Sequence, residues 1–318
     1  MLRVERRCLR AGRSPLLAVI WLLAAGCEPE RLAFEAELAD LRDLGRAPLL
    51  DSCEKAPTDR IGLDSEFLDG RYPRTPRRLV PPQTLQALRR AIERLPAPVA
   101  RAFERHVCRV VLVTGLRVLG SIAMLKDDAE RGLIALNLDY LDQSADTWMS
   151  FKEASFFSPA PELAIVGHLA PDEDRGALLE FVITHELGHV LDSAFNESSE
   201  VAAFHAISWP RDDTLESLRL VPYAELRDWK PVQDRWVEDL YRFVASSSFP
   251  SLTSLSNPNE DFADSLALYV HVVLAGRPFN VRVYRSDMLT AQLDSCWNEP
   301  RCAEKRRALE AILSRFGS

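Results

Sequence analysis

A helical pattern that runs from the acids after Pro171 to about Phe195 places the strongest limit on how this chain can fold. It contains the segment His185-Glu186-Leu187-Gly188-His189. Apart from the two histidines and the glutamate of this segment, all residues from Val182 to Leu191 are uncharged. A surface helix would normally carry Lys or Glu at the intervening positions, and a core helix would not carry two histidines and a glutamate together. The segment therefore points to a helix built around a polar site.

The spacing of these three residues is typical of a metal site. His185 and His189 stand four positions apart, so one helical turn brings both imidazoles to the same side. Two such nitrogens can bind one Zn²⁺. Glu186 lies beside them, where a carboxylate can take a proton from a water molecule. The HExxH pattern thus predicts a hydrolytic zinc centre.

The third ligand is expected from a later part of the chain. The pattern HExxHxxGxxH is excluded, because Asp192 and Phe195 occupy the last two of its defining positions. A carboxylate could come from Asn259-Glu260-Asp261-Phe262-Ala263-Asp264, which places Glu260 71 residues after the second histidine. Glu197 and Glu200 are the alternatives, although neither begins an ExxxD pattern on a convincing helix.

Together the two segments resemble the gluzincin zinc metallopeptidases. Thermolysin-like members carry NExxxD and anthrax lethal factor-like members carry ExFAE, and both patterns can be laid over residues 259–264. The resemblance implies Zn²⁺ as the cofactor, with His185, His189 and Glu260 as its ligands. It implies that Asp264 accepts a hydrogen bond from His185. It also implies that Glu186 activates a zinc-bound water to hydrolyse peptide bonds in a protein or peptide substrate.

The chain around this motif predicts an α+β fold. Apolar spacing predicts a helix over Thr84–His106, and alternating or β-branched runs predict strands at Arg109–Leu116, Gly132–Tyr140 and Glu162–Gly167. Gly120 is expected in a turn. With these elements, the gluzincin resemblance implies a zincin-like metallopeptidase domain over 83–318, with a small mixed sheet packed on the HExxH helix and a helical C-terminal part.

The resemblance implies one further feature of the sheet. A strand before the motif helix should form the upper edge of a cleft and pair with an extended substrate. Gly132–Tyr140 is the candidate, and a plain core strand is equally consistent with its residues.

Other residues have less defined roles. Tyr241, Tyr269 and His271 are the candidates for stabilising an oxyanion, although His271 lies three turns from Glu260 and is better explained as a structural histidine. Asp192 follows His185 by two turns, so it either supports a ligand or faces solvent.

The N-terminus has the layout of a secretory signal. Five arginines precede an apolar run over Pro15–Ala25, which is shorter than the roughly 20 residues that a membrane span needs. The run ends Leu23-Ala24-Ala25-Gly26-Cys27, which resembles the lipobox of bacterial lipoproteins. We expect 1–26 to be a signal peptide and Cys27 to carry a lipid that anchors the protein in a membrane. Glu28 in the next position resembles the outer-membrane sorting pattern of the bacterial cell envelope, and an ordinary cleaved signal with an unmodified cysteine is the alternative.

Residues 27–82 are predicted to be a tether that ends in a linker rich in Pro and Arg. In an oxidising envelope, four further cysteines allow three disulfide pairings. Cys296 and Cys302 flank a turn-like segment and are the favoured pair, which leaves Cys53 with Cys108.

Charge excludes one class of partner. The 318 residues include 39 Lys and Arg against 47 Asp and Glu, a net charge of −8, and this argues against a nucleic-acid binder. Two other functions stay open. The chain could be a zincin-fold surface lipoprotein whose structural or vestigial metal serves a binding or assembly module, or the HExxH pattern could be accidental in a helical envelope scaffold.

Overall fold

The computed structural model describes residues 82–113, 118–125, 128–141, 143–169, 175–209 and 223–317. The predicted signal 1–26, Cys27 and Cys53 lie outside these residues, as does the predicted linker 27–82 apart from its last residue. The described part of the chain is a mixed α+β structure with helices and two small sheets.

Where apolar spacing predicted one helix over 84–106, the structure has two. Helix α1 spans Pro82–Glu93 and helix α2 spans Ala97–His106. The chain breaks at Pro96, whose φ of −55° and ψ of 143° are extended rather than helical. Proline also disfavours helical backbone at the residue before it, so the first helix must end before this point.

The first sheet contains three strands, β1 (Val107–Val113), β2 (Gly120–Met124) and β3 (Gly132–Asn137), in the order β1-β3-β2. β1 runs parallel to β3 and β2 runs antiparallel to it, so the sheet is mixed. β3 is buried along its whole length, as a central apolar strand should be. The prediction of a turn at Gly120 is wrong, because Gly120 is the first residue of β2.

The motif helix lies against this sheet. Helix α3 (Ala145–Ala154) and strand β4 (Leu163–His168) come first and pack on each other. Helix α4 (Arg175–Ala194) then follows the predicted pattern, and it contacts both β2 and β3. The mixed sheet therefore packs on the helix that carries HExxH.

A second sheet contradicts the prediction of a helical C-terminal part. β5 (Asn280–Arg285) and β6 (Met288–Asp294) form an antiparallel hairpin, and β5 also pairs with β4. A signal for β5 is present in the sequence, where Arg282 separates Val281 from Val283. In the structure both valines are buried and the arginine is exposed. That alternation is typical of a half-buried strand.

The remaining helices follow α4 along the chain, and α8 packs directly against it. They are α5 (Ser199–Ser208), α6 (Tyr223–Arg227), α7 (Val237–Ser246), α8 (Pro258–Leu268) with a π-helical continuation over Tyr269–Leu274, and α9 (Ala303–Ser314). Short 3-10 turns lie at Asp234–Trp236, Thr253–Leu255 and Pro300–Cys302. Within the described ranges, no helix is both long and apolar enough to cross a membrane.

Cys296 and Cys302 form a disulfide, as predicted, in the connection between β6 and α9. Both cysteines are buried. Cys108 in β1 is also buried and disulfide-bonded. Because Cys53 lies outside the described residues, the Cys53–Cys108 pairing stays a prediction.

Helices α4 and α8 cross at Gly188. A Cβ added to Gly188 would lie only 2.6 Å from the Cα of Ala263, which is far inside van der Waals contact. The missing side chain therefore allows the two backbones to approach closely. This crossing brings the start of α8 towards the histidines of α4.

The close crossing predicts that Gly188→Ala destabilises the fold. The added methyl group must push against the backbone of α8, and overpacking of this kind costs about 1–3 kcal/mol. Urea denaturation should show this loss in the free energy of unfolding. Ser193→Ala, at a partly buried position of the same helix, should change it by less than about 0.5 kcal/mol. If both variants lost the same free energy of unfolding, the close approach of α4 and α8 would not explain the effect of Gly188→Ala.

Candidate metal centre

Helix α4 sets the positions of both motif histidines. The rings of His185 and His189 meet edge to face with their centroids 4.8 Å apart. Their Nε2 atoms lie 3.1 Å from each other and so face the same point. The two side chains are 14% and 17% exposed, so neither is fully enclosed.

Helix α8 brings Glu260 to the same point. Asn257 caps the helix, because its backbone is extended and its side-chain oxygen accepts a 2.9 Å hydrogen bond from the Glu260 N–H. Pro258 suits the first turn, where its missing N–H needs no partner. The cap fixes Glu260 in this turn, and its two carboxylate oxygens lie 3.5 Å from the Nε2 atoms of His185 and of His189.

These three donors fit one zinc ion. Tetrahedral zinc with nitrogen and oxygen ligands at about 2.0–2.1 Å separates neighbouring donors by roughly 3.3–3.4 Å. The two Nε2 atoms lie 3.1 Å apart, and each lies 3.5 Å from a different oxygen of Glu260. With one ligand atom taken from each residue, the three atoms lie within 4.8 Å of one another. Two histidines and a glutamate are also a ligand set of catalytic zinc sites, which keep a fourth position open. Over the described residues, no other group of three His, Cys, Asp or Glu side chains comes together in this way.

The competing acids lie away from this group. Glu197 is exposed in the turn that follows α4. Glu200 lies in the first turn of α5, and its Oε1 is 3.7 Å from the guanidinium of Arg315. Of the acids considered as the third ligand, the structure brings Glu260 to the histidines.

Asp264 anchors His185 from behind. Its Oδ1 lies 2.7 Å from His185 Nδ1, and this leaves Nε2 for a metal. Ser251 donates a 2.5 Å hydrogen bond to Oδ2, and Lys152 Nζ lies 3.2 Å from both oxygens. Burial by itself would raise the pKa of Asp264, but the Lys152 ammonium and His185 outweigh burial and hold the pKa well below its usual range.

Glu186 lies between the motif helix and the first sheet, and it is only 4% exposed. A Cβ added to Gly120 of β2 would lie 2.3 Å from Glu186 Oε1 and 2.8 Å from its Cγ, so the carboxylate packs directly on the backbone of that strand. Burial raises the pKa of Glu186 to about 7, although His185 acts in the opposite direction. Near-neutral values of this kind are found in general bases.

The strand beside Glu186 is not the one predicted to face the substrate. The prediction of Gly132–Tyr140 is wrong, because β3 has β1 on one side and β2 on the other, so both of its edges are already hydrogen-bonded. Among the described strands, β2 pairs with β3 alone. It is therefore an edge strand among the described strands.

The candidates for an oxyanion-stabilising group are engaged elsewhere. The hydroxyls of Tyr241 and Tyr269 donate to the carboxylates of Glu153 and Glu310, at 2.7 and 3.3 Å. His271 is buried, and its Nε2 lies 2.5 and 3.1 Å from two backbone carbonyl oxygens, in keeping with a structural role.

Asp192 is buried rather than exposed to solvent. Its Oδ1 lies 2.8 Å from Nε2 of His205 on α5. This pair ties α5 to α4 within one turn of His189.

Three residues of the centre belong to no motif. Lys152 and Ser251 reach Asp264 from α3 and from the loop before α8, and Gly120 contacts Glu186 from β2. In the sequence, Gly120 has the character of a turn glycine, and the other two have no distinguishing neighbours. Only the folded chain brings them to the centre.

No protein-family model, curated protein or solved structure matches this chain. The gluzincin resemblance consequently rests on the segments 185–189 and 259–264 and on the contacts between them.

The donor geometry predicts that the full chain binds one zinc ion per molecule and that His189→Ala abolishes this binding, because two donors hold the ion far more weakly than three. Elemental analysis of the dialysed protein measures the zinc content. His205→Ala is the matched control, since that histidine is similarly exposed (23% against 17%) and lies outside the donor group. Retention of zinc by His189→Ala, or equal loss from both variants, would contradict the site.

Proposed function

We propose that this chain is a zinc-dependent metallopeptidase of the gluzincin type, which hydrolyses peptide bonds in a protein or peptide substrate. The observation that carries the proposal is the meeting of an HExxH helix with Glu260, whose carboxylate lies 3.5 Å from both histidine nitrogens. An accidental HExxH segment offers no reason for Glu260 and Asp264 to converge on it from a distant helix.

The residues around this point suit peptide hydrolysis. A zinc ion held by His185, His189 and Glu260 would supply a Lewis acid that polarises the scissile carbonyl and lowers the pKa of a water molecule. Glu186 is placed to take a proton from the attacking water and to return it to the leaving amine. Asp264, with its Oδ1 2.7 Å from His185 Nδ1, would keep His185 in the tautomer whose Nε2 faces the metal position.

The outer edge of β2 suits an extended peptide. An edge strand can add a peptide as one further strand, through hydrogen bonds between the two backbones. Because β2 begins at Gly120, against which Glu186 packs, a peptide bound along this edge would bring its backbone to the carboxylate.

We place this activity in the bacterial cell envelope on the basis of the N-terminal sequence. The segment that ends at Cys27 implies a lipid anchor in a membrane, and Glu28 implies sorting to the outer membrane. The Cys296–Cys302 disulfide fits this location, because disulfides persist in oxidising compartments.

A binding module with a structural metal fits the centre less well. Structural zinc sites normally use four protein ligands, whereas three donors meet here among the described residues. A structural zinc site also does not need a general base, whereas the carboxylate of Glu186 is buried beside these ligands.

Glu186→Gln should keep zinc and lose hydrolysis. The amide has nearly the same shape but cannot take up the proton, so the rate should fall by at least about 10²-fold. The zinc-loaded full chain is assayed on fluorescein-labelled casein and on a library of quenched fluorescent peptides, and the zinc content of the same samples is measured.

Two results would count against this assignment. Cleavage by Glu186→Gln at the wild-type rate would remove Glu186 from the mechanism. A wild-type protein that binds zinc but cleaves none of these substrates would favour the binding module.

Gly120→Ala should displace Glu186 without removing zinc. The added Cβ would overlap Oε1 and Cδ of Glu186, at 2.3 and 2.7 Å, and a shift of about 1 Å in a catalytic group can lower the rate on the order of 10²-fold. Gly132→Ala on the neighbouring strand is the control, because its Cβ would meet nothing closer than 3.0 Å and would not touch Glu186. The value of kcat should fall for the first variant and change much less for the second. Equal losses would indicate a general disturbance of the sheet instead.

A further inference from the structure

Helix α8 carries two buried aspartates, and each pairs with a lysine from another helix. Asp264 pairs with Lys152 of α3, whose Nζ lies 3.2 Å from both carboxylate oxygens. Asp261 pairs with Lys305 of α9, whose Nζ lies 2.5 and 2.7 Å from the two oxygens. Both aspartates are fully buried, and the lysine side chains are 15% and 0% exposed.

The surroundings of the two lysines are alike. Each ammonium group also lies over two aromatic rings, at 4.9–5.6 Å from the ring centroids. The rings are Trp148 and Phe181 for Lys152, and Phe204 and Phe249 for Lys305. In both places a carboxylate and two ring faces replace the water that the ammonium group loses on burial.

The two pairs differ in what else the aspartate contacts. Oδ1 of Asp264 also lies 2.7 Å from Nδ1 of His185, one of the three metal-site donors. Asp261 instead accepts hydrogen bonds from the Trp209 indole N–H at 3.2 Å and the Ser265 hydroxyl at 3.4 Å. Only the first pair is therefore linked directly to the metal centre.

Lys152 and Ser251 together hold the carboxylate of Asp264. The Lys152 ammonium group is equidistant from the two oxygens, and the Ser251 hydroxyl is bonded to Oδ2. This arrangement directs Oδ1 towards His185. Without Lys152, the described residues that hold the carboxylate are Ser251 and His185, and the buried negative charge has lost its ammonium partner.

We propose that Lys152 is a positioning residue of the metal centre, which holds Asp264 so that His185 is oriented for zinc, and that Lys305 has no such role. The inference rests on the proposed function, because it takes the donor group to be a zinc site. It adds a residue from α3, 33 positions before the HExxH motif, to the set that controls the metal.

The two lysines form a matched pair for the test. Lys152→Met and Lys305→Met are made in the full chain, and the zinc dissociation constant is measured by competition with a chromophoric chelator. Residues that orient a metal ligand typically contribute 10–100-fold in affinity, so Lys152→Met should weaken zinc binding by about tenfold or more. Lys305→Met should lower the urea midpoint but change the zinc dissociation constant less than about threefold.

Two further measurements show whether Lys152 acts through Asp264. In an Asp264→Asn background, Lys152→Met should change zinc affinity less than about twofold, because the carboxylate that it orients is already gone. With Co²⁺ as the probe metal, the visible absorption bands should shift in Lys152→Met and stay unchanged in Lys305→Met. Lys152→Gln, which keeps a hydrogen-bond donor, replaces Lys152→Met if circular dichroism shows that Lys152→Met does not fold.

The outcomes separate this inference from the proposed function. A folded Lys152 variant that binds zinc as tightly as the wild type would overturn the inference and leave the zinc site in place. Equal weakening by both lysine variants would also overturn it, since destabilisation alone would then explain the effect. A wild-type chain that binds no zinc would remove the proposed function and the inference together.

Discussion

The close packing of α4 against α8 is the contact on which the rest of the site depends. Gly188 carries no side chain at the crossing, so the backbone of α8 at Ala263 can approach that of α4. The same glycine lies inside the HExxH segment, between Glu186 and His189. One residue thus belongs both to the chemical motif and to the helix crossing that brings the third donor to the motif.

The three acids at the start of α8 face two different sides of the helix and contact different groups. Glu260 and Asp264 are four residues apart, so they lie on the same side of the helix, and both face His185. Asp261 is turned by about a quarter of the circumference from Glu260 and meets Lys305 of α9. Buried carboxylates need partners. Here those partners are the donor histidines and Lys152 for one side of α8, and Lys305 for another.

Glu186 differs from these acids because its carboxylate packs against the backbone of a strand instead of pairing with a cation. It lies against Gly120 at the beginning of β2, and it is almost entirely buried. The order β1-β3-β2 makes β2 the edge of the sheet on the side of α4. The order of the strands therefore decides which backbone borders the carboxylate, and this border is where an extended peptide could pair.

The sequence by itself determined the parts of this protein that depend on short distances along the chain. His185 and His189, like Glu260 and Asp264, are set side by side by helical spacing, and Cys296 and Cys302 are brought together by a turn. The α+β class and three of the strands also follow from local patterns. Strand β5 had a local signal in the alternation of Val281, Arg282 and Val283, and the prediction of a helical C-terminal part overlooked it.

Only the tertiary structure decided which distant residues complete the centre. Lys152 is 112 positions from Asp264, and its neighbours in sequence form no motif. Gly120 resembles a turn glycine until β2 is seen against Glu186, and β3 is equally consistent with an edge strand or a core strand until its two neighbours are known. A contact between residues far apart in the chain depends on how whole helices and strands pack, and packing leaves no periodic pattern around the residues that it joins.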